Sequence, residues 1–205
     1  MRICHVINSL NRGGAETMLV KLLAESKLHN VNSMVIVILS DGNLEPIVRD
    51  MGIRVISLGA NKSKFKIISQ YLMVRKIIKI FAPNIMYGWL YHGNLAALIL
   101  RNKIPLIWNI RHSLTDLKNE KYLTRFIIRL GGVLSRYVSA ILYNSQAALV
   151  QHKNISYKCN LSEVIHNGFE TQRFLPNPIL RQKTRNNLGI GPKIKVFGMV
   201  GRYHP

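Results

Sequence analysis

The sequence predicts a doubly wound α/β fold, a parallel sheet with helices on both faces. Three observations predict it. Short runs rich in β-branched and other apolar residues recur along the chain without the in–out alternation of a half-exposed sheet. Longer segments of helical apolar period separate them. The first run also breaks into a glycine-bearing polar turn that opens straight into a helical pattern, as a βα unit does.

The elements follow in order. A strand over Arg2–Ile7 ends at "NSLNRGGAE", and a helix over Ala15–Leu28 begins there. A second strand, Ser33–Leu39, leads to a short helix, Glu45–Met51. The third, Arg54–Leu58, precedes a helix over Lys64–Phe81. Strands at Asn84–Trp89, Pro105–Ile110, Ser139–Asn144 and Ser162–Ile165 then alternate with helices at Gly93–Asn102, Glu120–Arg136 and Ser145–Lys153. After "VIHNGFETQRFLPNP" the composition changes. "PILRQKTRNNLGIGPK" reads as a basic helix ending at Gly189 with a turn at Gly191-Pro192, and Ile194–Val200 reads as one more buried-type strand. A lone strand followed by Gly201-Arg202 reads as the opening of another domain. The expected division is a first domain over 1–175, then a linker helix and the first strand of a second domain over 176–205. No internal repeat or low-complexity tract interrupts this pattern.

With 205 residues, 48% hydrophobic and 19% charged, the chain can bury a core and is not a disordered polyelectrolyte. Its longest apolar runs, such as "MVIVIL", are too short to cross a bilayer. No signal-peptide core follows Arg2, so the expected location is the cytoplasm. Cys4 and Cys159 are the only cysteines, and Cys4, within the first strand, reads as a structural thiol. No Cys/His spacing suggests a metal site, and none is assigned. The charge is the unusual feature: 29 Lys+Arg against nine Asp+Glu give a formal +20. No acid occurs from Met51 to Thr115. Such a chain is drawn to nucleic acid, anionic lipid or phosphorylated substrates.

In doubly wound sheets, ligands bind beyond the carboxyl ends of the strands. "NSLNRGGAE" is neither G-x-G-x-x-G nor a Walker loop, and the second strand ends in Leu39 where a ribose-binding acid would stand. Gly13 and Gly14 either expose helix N–H groups to an anion or simply make a tight turn. Trp89, His92 and Asn94 follow the fourth strand, Arg111 and His112 the fifth, and Asn144 or Ser145 the sixth. Three polar loops therefore converge on the rim that holds the glycine pair. An alternative to a small-ligand site on this rim is a basic nucleic-acid- or anion-binding α/β module. Against the nucleic-acid form, no recognised motif or aromatic stacking platform accompanies the scattered cations.

These residues resemble a known family. "GGAE" after the first strand (Gly13 to Glu16), His112 after the fifth, "NS" after the sixth, "HNGFE" with Phe174 and a strand ending "VGR" are similar to the family 4 glycosyltransferases of GT-B fold. The resemblance implies the acceptor-binding half of a retaining, nucleotide-sugar-dependent enzyme. It would transfer a hexose or similar sugar to a glycolipid or polysaccharide in cell-surface polysaccharide or lipopolysaccharide synthesis. The nucleotide-sugar is a co-substrate, and neither cofactor nor metal is implied. The resemblance places Gly13 and Gly14 near donor phosphates and acceptor, and His112, the implied catalytic residue, near the transferred sugar and acceptor. It makes Asn167 and Gly168 part of the interdomain passage, with Glu170 where the commoner form has Asp. It puts Arg202 on the donor pyrophosphate. The family's E-x7-E element belongs to a second domain this chain barely begins, so the chain alone is expected to be inactive.

"EKYLTRFIIRLGGVLSR" bears on the charge. On a helix, Lys121, Arg125, Arg129 and Arg136 fall within a stripe roughly 80° wide, with Leu123, Phe126, Ile127, Leu130, Val133 and Leu134 opposite. The expected arrangement buries the apolar side on the sheet and turns the cations outward, either simply as a solvated basic face or as a face that docks electrostatically on an anionic membrane. Gly131-Gly132 is expected to weaken or break this helix.

Overall fold

The structure is a computed structural model and describes residues 1–39, 42–59, 67–114 and 117–200. Its sheet has seven parallel strands in the order β3-β2-β1-β4-β5-β6-β7. They are β1 (Arg2–Ile7), β2 (Asn32–Val37), β3 (Arg54–Ser57), β4 (Ile85–Trp89), β5 (Leu106–Ile110), β6 (Ala140–Tyr143) and β7 (Ser162–Val164). The helices are α1 (Gly14–Leu28), α2 (Glu45–Asp50), α3 (Ile67–Phe81), α4 (Leu90–Leu100), α5 (Tyr122–Leu134), α6 (Gln146–Asn154) and α7 (Pro178–Asn187). The doubly wound α/β reading holds, and strand order reverses between β1 and β4. The start of the third helix at Lys64 lies outside the described residues.

Right-handed crossovers put α1 and α2 on one face and α3 to α6 on the other. The two cores follow that division. Leu19 and Leu23 of α1 pack with Ile7, Val35, Val37 and Trp89 on the first face. On the second, Val74, Ile78, Ala97, Ile128 and Leu149 pack with Cys4, Met86, Trp108 and Tyr143. Burial pushes the Cys4 thiol up to about 12, so it stays protonated and unreactive, as a structural thiol should. On the α1 side no described helix of residues 1–167 covers β4 to β7, and Ile85, Tyr87, Ile107 and Leu142 are only half-buried there.

Helix α5 departs from the sequence expectation in two ways. It runs unbroken through Gly131 and Gly132, because those glycines are its contact with the domain. A Cβ on Gly132 would stand 2.7 Å from the carbonyl oxygen of Ile155, and one on Gly131 would strike the Tyr157 hydroxyl. Tyr157 in turn donates to the Ile128 carbonyl at 3.0 Å. The helix therefore seats on its small-residue side, with Ile128, Gly131 and Gly132 buried. Its apolar side is turned outward: Leu123, Phe126, Leu130 and Val133 are exposed. Close backbone approach at the glycines wins over burial of the larger side chains.

The chain divides into two compact units, 1–167 and 168–205. Within the second, Asn177 caps α7 by accepting from the Leu180 N–H at 2.8 Å, with Pro178 in the first turn. Arg185 donates to the carbonyls of Gly191 and Ile194, tying the following turn back to the helix. Residues 194–200, expected as a strand, form none. A parallel strand exists only through pairing with neighbours, and no described strand lies beside this one. Arg202 lies outside the described residues.

Candidate functional site

Because β1, β4, β5, β6 and β7 are neighbours in the sheet, the loops at their carboxyl ends lie side by side. The switch in strand order falls within this row, where doubly wound folds bind ligands.

Gly13 precedes α1 as its N-cap with φ −148°, ordinary extended backbone. Gly14, the first helical residue, has open space where a Cβ would be. Neither glycine is demanded by a left-handed conformation or, at Gly14, by packing. The Glu16 side chain folds back against Gly13, putting a carboxylate at the helix N-terminus, where the dipole favours it. A tight turn here would not in itself call for glycine at position 14.

The β4 loop serves mostly the fold. Trp89 is buried, and its indole N–H donates to His5 Nδ1 at 3.2 Å. Asn94 is buried too, its Oδ1 accepting the Asn109 N–H at 3.3 Å. Both were expected to meet substrate; instead they are fixed inside the domain. Only His92 of that set reaches the surface, half-buried, and burial lowers its pKa. Close packing sets this junction. A Cβ on Gly93 would fall 2.6 Å from the Val6 carbonyl oxygen, and one on Gly88 2.7 Å from Asn94 Cα. Leu90, between strand and helix, is held at φ 58°, a left-handed conformation costing a leucine about 1–2 kcal/mol.

Arg111 and His112 leave β5 together. The Arg111 guanidinium lies 5.6 Å from the centre of the Trp89 ring and donates to Asn167 Oδ1, so Trp89 acts as its platform. Partial burial lowers the Arg111 pKa, with Tyr87 opposing the shift, and the group stays charged. His112 is exposed; its Nε2 meets Glu120 Oε1 at 2.9 Å and its ring stands edge-on to Tyr91, centroids 6.1 Å apart. The loop is tethered by the Leu114 N–H, which donates to Gln151 Oε1 at 2.8 Å. Ser145, another expected substrate contact, caps α6 by accepting from the Ala148 N–H at 3.1 Å. The neighbouring Asn144 Oδ1 is buried with no hydrogen-bond partner among the described residues. Gly168 opens the second unit, and nothing stands where its Cβ would be.

Sequence reasoning missed three residues behind His112. Glu120 carried a signal, as one of only nine acids and eight residues beyond that histidine. Tyr91 and His152 carried none, because an apolar helical pattern hides which of its members is polar at the tip. The Tyr91 hydroxyl and His152 Nε2 are 2.8 Å apart, and His152 Nδ1 is 2.7 Å from the Ala148 carbonyl. Burial lowers His152 to about 4 and His5 to about 3, so both are neutral at pH 7. The sign follows from linkage. Below the unfolded value near 6.5 the unfolded chain takes up protons that these folded sites refuse. Stability is therefore full above about pH 6.5 and falls as pH drops toward 4. Denaturant melts at pH 7.5 and pH 5 should differ by about 2 kcal/mol per histidine.

The parallel sheet and the converging rim form a Rossmann-like α/β fold that matches one domain of GT-B glycosyltransferases. The profile of the family described as Glycosyl transferase 4-like matches residues 5–154, and the chain belongs to that family. No curated protein matches it. Among solved structures, it is similar to HepE from Anabaena in complex with UDP, with 20% identity and TM-score 0.71, covering 92% of this chain and 50% of that one. A sucrose-phosphate synthase from Thermosynechococcus elongatus shares 13% identity at TM-score 0.65, covering 94% and 54%. A glycosyltransferase from Rickettsia africae shares 16% at TM-score 0.64, covering 94% and 50%. The chain spans about half the length of these structures.

Proposed function

We propose that this chain is the acceptor-side half of a retaining glycosyltransferase that takes its sugar from a nucleotide diphosphate donor. Two observations on relatives support the donor class: HepE structures contain UDP, and in one case UDP-glucose. The observation that carries the reading is the glycine pair. Gly14 is free of any conformational or packing demand, yet it stands on the β1 loop at the switch in strand order. A side chain there would occupy only the space a ligand needs. Gly13 and Gly14 would let donor or acceptor approach the start of α1 closely, beside the Glu16 carboxylate, and Arg202 would take charge developing on the departing diphosphate. His112 would hold a sugar hydroxyl, its ring set by Glu120. Trp89, Asn94 and Ser145 act behind this surface and have no direct substrate role in it. Transfer would proceed without a metal.

The acceptor would be a saccharide or lipid-linked saccharide, in cell-surface polysaccharide synthesis at the cytoplasmic side of the membrane. Division into an acceptor domain and the opening of a donor domain belongs to the same reading. Transfer from UDP-sugars should be absent with the 205-residue chain and present in a longer protein carrying a donor half. Product anomers assigned by NMR should match the donor. Robust turnover by the chain alone would overturn the division of labour. Absence of transfer with every nucleotide-sugar in the longer protein would leave an anion-binding module as the reading.

A further inference from the structure

We propose that Arg111 is a positioning residue, which clamps the point where the chain leaves the sheet and holds it in register with His112. The guanidinium has two partners within the domain. It donates to Asn167 Oδ1, and the Trp89 ring lies against it with its centre 5.6 Å away. Asn167 is the last residue of the first compact unit, and Gly168 opens the second. Backbone pairing with the sheet reaches only just short of this point, where the Ile165 N–H donates to the Tyr143 carbonyl at 2.8 Å. Arg111 carries the hold on the chain two residues further, to Asn167.

The clamp is built from the central strand outward. His5 of β1 is fully buried, and its Nδ1 accepts the Trp89 indole N–H, which sets the plane of that ring. A histidine here carries a cost, because its Nε2 is buried with no hydrogen-bond partner among the described residues. An apolar side chain would avoid that cost but would not orient the indole. The row His5, Trp89, Arg111 and Asn167 therefore accounts for a buried imidazole that packing alone does not call for. An exposed hydrogen bond is ordinarily worth little, since water replaces it. In this row the guanidinium is already held on an aromatic face, so little side-chain freedom is lost when it meets Asn167. Arg111 and His112 are consecutive at the end of β5. The backbone that presents His112 is thus the backbone tied to the exit of the chain.

The consequence for His112 rests on the transferase reading, whereas the clamp itself is measured without turnover. Endoproteinase Glu-C cleaves after Glu170, three residues beyond Asn167. On the native 205-residue chain it should do so about fivefold faster in R111Q and in N167A, with melting curves unchanged. R111Q/N167A should be cut no faster than either single variant, since both remove the same bond. R111K should resemble R111Q, because an ammonium lacks the planar fork that both stacks and donates. N167D should be cut more slowly than the wild type, an ionised acceptor holding the guanidinium harder. Unchanged rates in both single variants, or additive effects in the double, would overturn the clamp. In a longer protein carrying a donor half, N167A should lower kcat about tenfold and leave KM for the nucleotide-sugar within about twofold, with kcat kept by N167D. A raised KM at unchanged kcat would make the pair substrate contacts and overturn the positioning role. A longer protein inactive with every nucleotide-sugar, its cleavage pattern as expected, would sink the transferase reading alone and leave the clamp in place.

Discussion

Replacing Gly14 by valine should lower turnover on the order of a hundredfold in a protein carrying both halves, with no loss of folding stability in this chain. The two parts of that expectation have separate origins. Gly14 lies at the first position of α1 with nothing within 4 Å of a Cβ among the described residues, so a Cβ there stands in open space. A β-branched residue at a helix start changes stability by only about half a kcal/mol. Any kinetic loss must then come from what approaches the loop from outside. Steady-state kinetics beside a thermal melt separates the two. Unchanged kcat and KM would mean that nothing approaches Gly14 closely.

Gly93→Ala should do the opposite, lowering stability by about 3 kcal/mol or more, a Tm drop of roughly 6–12 °C for a chain of this size. The added methyl would sit 2.6 Å from the Val6 carbonyl oxygen and 3.2 Å from Ile7 Cα. Both are backbone atoms of the central strand, which cannot rotate aside as a side chain can. Because α4 carries Tyr91 and His92, any relief by helix movement would displace the surface beside His112. The melting temperature of Gly93→Ala against Gly14→Ala checks the contrast directly; equal melting temperatures would refute it.

The fold was legible because apolar periodicity reports directly on burial, and a parallel sheet buries both faces of its strands. Strands at Arg2–Ile7 and Arg54–Ser57 fall within a residue of their expected limits. The orphan segment 194–200 misled for the same reason: composition reports what a strand would bury, whereas pairing needs neighbours. Helix α5 shows a second limit. Its stripe geometry was legible, but the sequence does not say which side of an amphipathic helix meets the domain. Gly131 and Gly132 decided that, through contacts with residues 155–157 that no local pattern encodes. Among site residues, the loop positions of Gly13, Arg111 and His112 followed from strand ends. The inward burial of Trp89 and Asn94 did not, since a polar residue at a strand end looks the same whether it faces ligand or core.

The buried pair Tyr91 and His152 has a consequence for hydrogen-bond polarity. The Ala148 carbonyl can only accept, so it fixes the imidazole proton on Nδ1. The neutral ring then offers only a lone pair at Nε2, and the Tyr91 hydroxyl must spend its single proton there. What Tyr91 has left on its oxygen is acceptor capacity alone. A main-chain carbonyl in α6 thus dictates, through two side chains, that the phenol beside His112 receives hydrogen bonds and gives none.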